Sequence, residues 1–393
     1  MARHRIVLVF SALSVLVSAG YGVMFTVLDD YRDKYHIDGS LLGLIVAVGF
    51  FSSFFAQVLL APLADRGHAR TLALVGLMLH VVGLIGMAYG TTAAVLLVAR
   101  VVMGTGAGVV SPAARRIVIL AEPDRLGHNL GRLLSADVGG FAMGPAIAAV
   151  LVGPFGLAAP FIVIAVLSAA FAPILLRTRV EETTEPTTER FAFDLLRDRP
   201  YAGAVLVGTA LFLMIGTFDA LWVLVLSDLH SPQWMANIGI TLFAVPFVVF
   251  GSAGGRLAQR VGPLRLGAVG LLIGAAFMVM YGQLPTAGWM LAVGLVHALN
   301  DGLTVTSTGV AVGVVAPPDR QAGAQGLLGG VQTLVGGLTA MLAGWLYQHH
   351  GRAAAYTTCT VAMVVVVTAG LWLAGPAGRV KAPIGEPRAV PVH

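Results

Sequence analysis

The sequence predicts an all-α integral membrane protein, with twelve transmembrane helices in two six-helix bundles related by a pseudo-two-fold repeat. Three observations carry this reading. First, 57% of the 393 residues are hydrophobic and only 11% are charged, and the mean hydropathy is +0.87. A soluble domain carries about 25% charged residues. Second, the apolar residues form continuous runs of about 20, the length a helix needs to cross a bilayer; barrel strands would alternate over about ten. Third, the chain repeats itself. Leu63-Ala64-Asp65-Arg66 returns as Leu257-Ala258-Gln259-Arg260, 194 residues on. Ala121-Glu122-Pro123-Asp124-Arg125 returns as Ala316-Pro317-Pro318-Asp319-Arg320, 195 residues on. Two echoes at nearly one offset imply parallel repeats, the arrangement of a secondary transporter.

The runs place spans at 6–28, 40–63, 71–90, 92–113, 130–152, 158–176, 201–227, 236–257, 266–284, 288–313, 322–346 and 353–374. The domains follow: a first bundle over 1–176, a linker over 177–200, a second bundle over 201–375 and a tail over 376–393. With the N-terminus inside, 20 of the 24 Lys and Arg residues fall on inner segments, and only Arg32, Lys34 and Arg352 on outer ones. Arg100 alone falls deep within a span, away from its edges. Basic residues stay cytoplasmic during insertion, so both termini are expected in the cytoplasm of an inner or plasma membrane. The same bias accounts for the +5 net charge without a nucleic-acid partner. The first run is too long for a signal peptide, and no A-x-A-like site follows it. The single cysteine, Cys359, excludes an intramolecular disulfide.

In the linker, the run EETTEPTTE at 181–189 has nothing to bury. Beyond it, Phe191, Leu195 and Leu196 recur at helical spacing among Asp194, Arg197 and Asp198. Either a short amphipathic helix on the membrane surface or a flexible connection fits. Outer loops are short apart from 29–40, and the Pro- and Gly-rich tail reads as disordered.

The motifs resemble those of the major facilitator superfamily. Its signature between spans 2 and 3 is G-x-L-a-D-R-x-G-r-r. Here the stretch runs from Ala61 through Leu63, Ala64, Asp65, Arg66 and His68 to Arg70, with both glycines replaced. The second copy keeps Gly255 and Gly262 and ends on Arg260, but has Gln259 for the acid. The resemblance implies a latch between the halves in which Asp65 accepts hydrogen bonds from a neighbouring span. A carboxylate beside a helix N-terminus suits that role. In span 4, Arg100 and Gly104 resemble an R-x-x-x-G signature linked in the family to proton transfer. Arg100 lies about 13 Å below the outer end of its span. It must find partners or snorkel, since a bare mid-membrane arginine costs at least about 2.5–3.5 kcal/mol. In span 5, Gly131, Gly140, Gly144 and Pro145 are similar to the antiporter signature G-(x8)-G-(x3)-G-P-(x2)-G-G, with Ala148 and Ala149 in the last two places. Ordinary small-residue packing would use the same residues.

The remaining ionisable residues in spans are few. Asp137 precedes Gly140, and Gln332 is its mate in the second half. Asp219 lies in span 7 beside Phe218 and Trp222. In span 10, His297 and Asp301 are four apart and share a helical face, with Asn300 beside them. Such a pair suits a proton relay or a static clasp between helices. His80 reads as structural.

The resemblance implies that spans 1, 4, 7 and 10 line a central cavity. Candidate cavity residues are Tyr21, Met24, Phe25, Phe218, Trp222 and Asn300, with Asp301, His297, Asp137, Asp219 and Arg100 as proton-coupling candidates. Neither a phosphate loop nor a metal cluster is evident. The expectation is therefore a monomer without cofactor, exchanging a small amphipathic or drug-like molecule against protons across the bilayer. An importer or facilitator of a sugar or other small metabolite fits the same fold. A remote alternative is a membrane acyltransferase, because H-x-x-x-D also occurs in some of those enzymes.

Overall fold

The computed structural model describes residues 2–180, 182 and 189–376. Most of the 181–189 run and the tail beyond 376 lie outside the described residues. Among the described residues all regular structure is helical. The first half comprises α1 (Ala2–Thr26), α2 (Leu28–Tyr35), α3 (Gly39–Leu59), α4 (Ala69–Tyr89), α5 (Ala93–Ala121), α6 (Leu126–Phe155) and α7 (Ala158–Arg177). The second comprises α8 (Arg199–Asp228), α9 (Gln233–Val261), α10 (Pro263–Gln283), α11 (Ala287–Thr304), α12 (Thr306–Val315) and α13 (Gln321–Ala374).

Ten of these helical stretches are long and apolar enough to cross a membrane. Twelve crossings result because α13 turns at Gly351, whose φ of 81° suits glycine, and because α11 and α12 continue through Val305 as one rod. Side chains such as Val82, Val166 and Trp372 point outward, as they must where the solvent is lipid. The protein is a multi-pass membrane protein.

The repeat is visible in the packing. In the first half α1 packs on α6, α3 and α4 on α5, and α4 on α7. In the second, α8 packs on α13, α9 and α10 on α11, and α10 on α13. Across the halves, α6 packs on α9 and α3 on α13. These two crossings are mates under the repeat. One apolar core lies almost entirely in the second half, a second in the first, and a third gathers both halves near Ala69, Ala258 and Ala322. Both ends of the described chain sit on that side: Val7 belongs to the shared core, and Ala374 packs against Gly203 at the start of α8. We call this side the terminal face.

Three expectations need correction. α5 runs to Ala121 and α6 begins at Leu126, so both pass well beyond their predicted edges. Hydropathy cuts a span at its first charges, but Arg115 and Arg116 are helical, and Arg116 is only 1% exposed. The 29–40 loop contains α2, whose Tyr31 is buried and donates to the Met87 carbonyl. In the linker, a single 3-10 turn, Phe193–Arg197, replaces the amphipathic helix. Leu195 packs inward there while Leu196 stays exposed.

Candidate functional site

The turn at Asp65 is a joint between the halves. Ala64–His68 bends through Gly67, with φ of 83°, and aims the Asp65 carboxylate at the first turn of α13. Its oxygens accept from the backbone N–H groups of Ala322 at 2.9 Å and Gly323 at 2.7 Å. The Arg116 Nε donates to the same carboxylate at 3.1 Å. Asp65 therefore caps a helix of the other half, where the helix dipole favours an anion. It also neutralises a buried guanidinium of its own half. Charge-assisted bonds of this kind are worth about 1.5–3 kcal/mol each.

The linker straps the same joint. The Glu182 carboxylate accepts from the backbone N–H groups of Ala69 and Arg70, so Arg70 contributes through its main chain. Asp194 accepts a forked pair of bonds from Arg320, at 3.0 and 2.7 Å, and Arg320 also donates to the Phe191 carbonyl. The hydrogen bonds from Arg320 hold the Asp194 carboxyl below the usual aspartate range. Arg66 lies within the turn, half-buried.

The echo of this turn forms the second joint. Gln259 Oε1 accepts from the Gly127 N–H at 2.9 Å, in the first turn of α6, and its Nε2 donates to the Asp124 carbonyl. The architecture is the same as at Asp65, but the capping group is neutral. Between the two joints the halves close on one another. Gln57 donates to Thr333, and Ser135 to the Phe247 carbonyl. Gly131 faces Gly251 so closely that a Cβ on either would collide with the other's carbonyl. These contacts lie in the half of each helix nearer the terminal face. That face is shut.

The glycine motif of α6 splits between two neighbours. Gly131 packs on α9 in the other half, whereas Gly140 and Gly144 pack on Val15 and Gly22 of α1. Pro145 sits inside α6, one residue beyond the Gly144 contact.

Arg100 does not snorkel. It is fully buried, with Nε donating to the Ile45 carbonyl at 3.2 Å, a longer bond to Val46, and its guanidinium 5.0 Å above the Tyr21 ring. Tyr21 in turn stacks on His80. A charge placed thus lives on carbonyl dipoles and a π face. Asp137 is half-buried on α6, about 16 Å from the helix start. Its carboxylate accepts from Ser18, and its charged neighbour is Arg115.

His297 and Asp301 meet as their spacing predicts, with Nε2 and Oδ2 3.4 Å apart and both residues buried. They lie inside the second bundle. Tyr281 bonds His297 Nδ1 at 3.0 Å, Met214 lies 3.3 Å from Nε2, and Phe277 stacks on the ring. Asn300 donates to both Asp301 and the Gly270 carbonyl. Phe218 packs on this cluster, with ring centroids 5.0–6.5 Å from those of Trp222, Phe243, Tyr281 and His297. One residue on, Asp219 is exposed.

Two cavity candidates are misplaced. Met24 is 0% exposed and Trp222 1%, both within apolar cores. In an evenly apolar helix the sequence does not fix which face turns to the cavity. Tyr21, Phe25, Phe218 and Asn300 are half-buried, and Phe25 packs against Phe50 and Phe141. Arg115, Arg116 and Gln57 carry no sequence signal that marks them, whereas Gln259 is visible as the odd member of the repeated turn.

Comparison with known proteins agrees with this architecture. The Major Facilitator Superfamily profile matches residues 10–227 and again 204–392. The quinolone resistance protein NorA of Staphylococcus aureus is 30% identical over 148 residues, 37% of this chain and 38% of that protein. The human chromaffin granule amine transporter is 25% identical over 274 residues, 64% of this chain and 51% of its own length. The matches thus span less than two thirds of these curated relatives. Among solved structures, the E. coli fucose:proton symporter FucP superposes with a TM-score of 0.76 at 16% identity, over 95% of this chain and 99% of that one, and one FucP structure is of the outward conformation. The acyltransferase alternative falls with the match to a family of transporters. Two copies of one bundle, joined at Asp65 and Gln259, are what the profile matches along the chain, and this chain belongs to the major facilitator superfamily.

Proposed function

We propose that this transporter exports small amphipathic compounds in exchange for protons, with the terminal face in the cytoplasm. The observation that carries the reading is the buried His297–Asp301 pair, an ionisable couple inside a membrane bundle, with Phe218 set edge-on to the imidazole. Ionisable groups in spans are costly and are kept where protons or ions move. The 20 basic residues assigned to inner segments support the orientation. NorA and the amine transporter are named for a drug and an amine, which favours amphipathic substrates. In the shut state the cavity opens away from the cytoplasm. Protonation at the pair and substrate release there would precede breakage of the two joints and reopening toward the cytoplasm.

Ala148 and Ala149, where the antiporter signature has glycines, favour an importer as the second reading. Purified protein in liposomes separates the two. An acid lumen should draw a fluorescent lipophilic cation into the vesicles while the lumen turns alkaline in step. Accumulation only when the outside is acid means symport. Equilibration indifferent to pH means a facilitator, and both outcomes reject the proposal.

A further inference from the structure

The second joint leaves a charge imbalance that the first does not. At the first, Asp65 meets Arg116. At the second the capping residue is neutral, and arginines from both halves face a recess of about 300 Å³ at the seam. Arg125 and His128 come from the start of α6, Arg256 and Arg260 from the end of α9, with Gln259 and Asp124 completing the lining. Three guanidiniums against one carboxylate leave the recess at +2 with His128 neutral. Among the described residues no carboxylate forms an ion pair with Arg125, Arg256 or Arg260. The Arg256 Nη1 turns instead to His128 Nδ1, 3.0 Å away, so the two halves touch here through groups that are both basic. The His128 ring also feels Arg125 and Arg132. A seam that gathers three guanidiniums from both halves against one carboxylate is incomplete as it stands, and α6 adds the positive end of a 30-residue helix.

We propose that this recess binds a phosphate group, and that the bound anion bridges α6 and α9 and holds the terminal face shut. Arginine forks match phosphate oxygens with two parallel bonds, and the exposed edges of Arg125, Arg256 and Arg260 leave room for an ion to enter from the side. The phosphate comes from an anionic phospholipid headgroup or from a soluble phosphate ester. Both supply the same chemistry, and the recess lies where a membrane face meets water. The anion stabilises only the conformation in which arginines of both halves are together, so it shifts the balance toward that state. The inference holds whichever way substrate is carried.

The test uses the full-length protein in nanodiscs, with a reactive cysteine near the terminal-face seam reporting how often it opens. In phosphatidylcholine alone, opening should be frequent. Adding phosphatidylglycerol, or glycerol 3-phosphate in solution, should lower labelling about tenfold, the worth of one charge-assisted bond or slightly more. The arm that acts identifies the source. Arg256→Gln, and independently Arg125→Gln from the other half, should cut that response to about twofold or less, the remaining arginines holding the anion more weakly. If one variant folds poorly, the other carries the comparison. Unchanged labelling of the wild type with both phosphate sources overturns the proposal. So does a wild-type-sized response in both variants.

Discussion

The two joints on the terminal face share one geometry and differ in one atom's worth of chemistry. At Asp65 a carboxylate takes two backbone N–H groups of α13 and a buried arginine. At Gln259 an amide oxygen takes one N–H of α6, and the arginines beside it are exposed. The repeat therefore conserves the shape of the closure while concentrating its electrostatic strength in the first half. The second half instead holds the titratable pair, His297 and Asp301. Under the proposed exchange with protons, the joints that hold the closed state and the group whose protonation tilts the balance fall on different copies of the same bundle.

The largest break in this comparison is Asp65→Ala. It breaks the buried ion pair with Arg116, 1% exposed, and removing one partner of such a pair costs about 3–5 kcal/mol in other proteins. Labelling of a cysteine at the terminal-face seam should rise about hundredfold, or the protein should fail to accumulate. Next comes Gly131→Leu, which overfills the crossing with Gly251 without touching either joint. Overpacking of about 1–3 kcal/mol predicts roughly tenfold more opening in the same assay. Labelling at the wild-type rate would show that the crossing is not part of the closure.

Gln259→Glu sharpens the comparison by giving the second joint the charge of the first. A carboxylate accepting from Gly127 beside Arg256 and Arg260 gains charge-assisted bonds but gives up the donation to the Asp124 carbonyl, so it should add a net of about 1 kcal/mol and reduce opening about fivefold. The smallest effect belongs to the strap. Asp194 is held below its ordinary value by Arg320, so its contribution is present above the unfolded aspartate range, near pH 4, and is lost as pH falls through the lower folded value. At neutral pH Asp194→Asn should raise opening by less than about fivefold, because the carboxylate is partly exposed. The gap between mutant and wild type should close in acid. A gap that widens on acidification would contradict the assignment.

Much of the fold was legible because lipid imposes a simple code: long apolar runs, charges at their ends and a motif stated twice. Asp65, its echo at Gln259 and the His297–Asp301 spacing could be read directly, since each depends on neighbours in sequence. Their partners could not. Arg116, Ala322 and Gly127 reach the joints only through tertiary packing, and Arg116 was hidden by the habit of ending a span at its charges. Met24 and Trp222 were misjudged for the opposite reason. In helices apolar all round, sequence does not say which side faces a core and which a cavity. α2 was missed because an eight-residue polar helix lacks a periodic signal, and Tyr31 anchors it by a tertiary contact.

The central claim is that protonation at Asp301 tilts the balance that the two joints hold. The direct measurement is the pH dependence of seam labelling in the wild type and in Asp301→Asn, in lipid and without substrate. The wild-type rate should change across a scan from about pH 5 to 8 as the Asp301 carboxyl takes up its proton. Asp301→Asn should label at one constant rate across that window, close to the acid limit of the wild type, because asparagine mimics the protonated acid. A mutant that retains the wild-type pH response would place the proton elsewhere, with Asp137 and then Asp219 next in line, and would contradict the account.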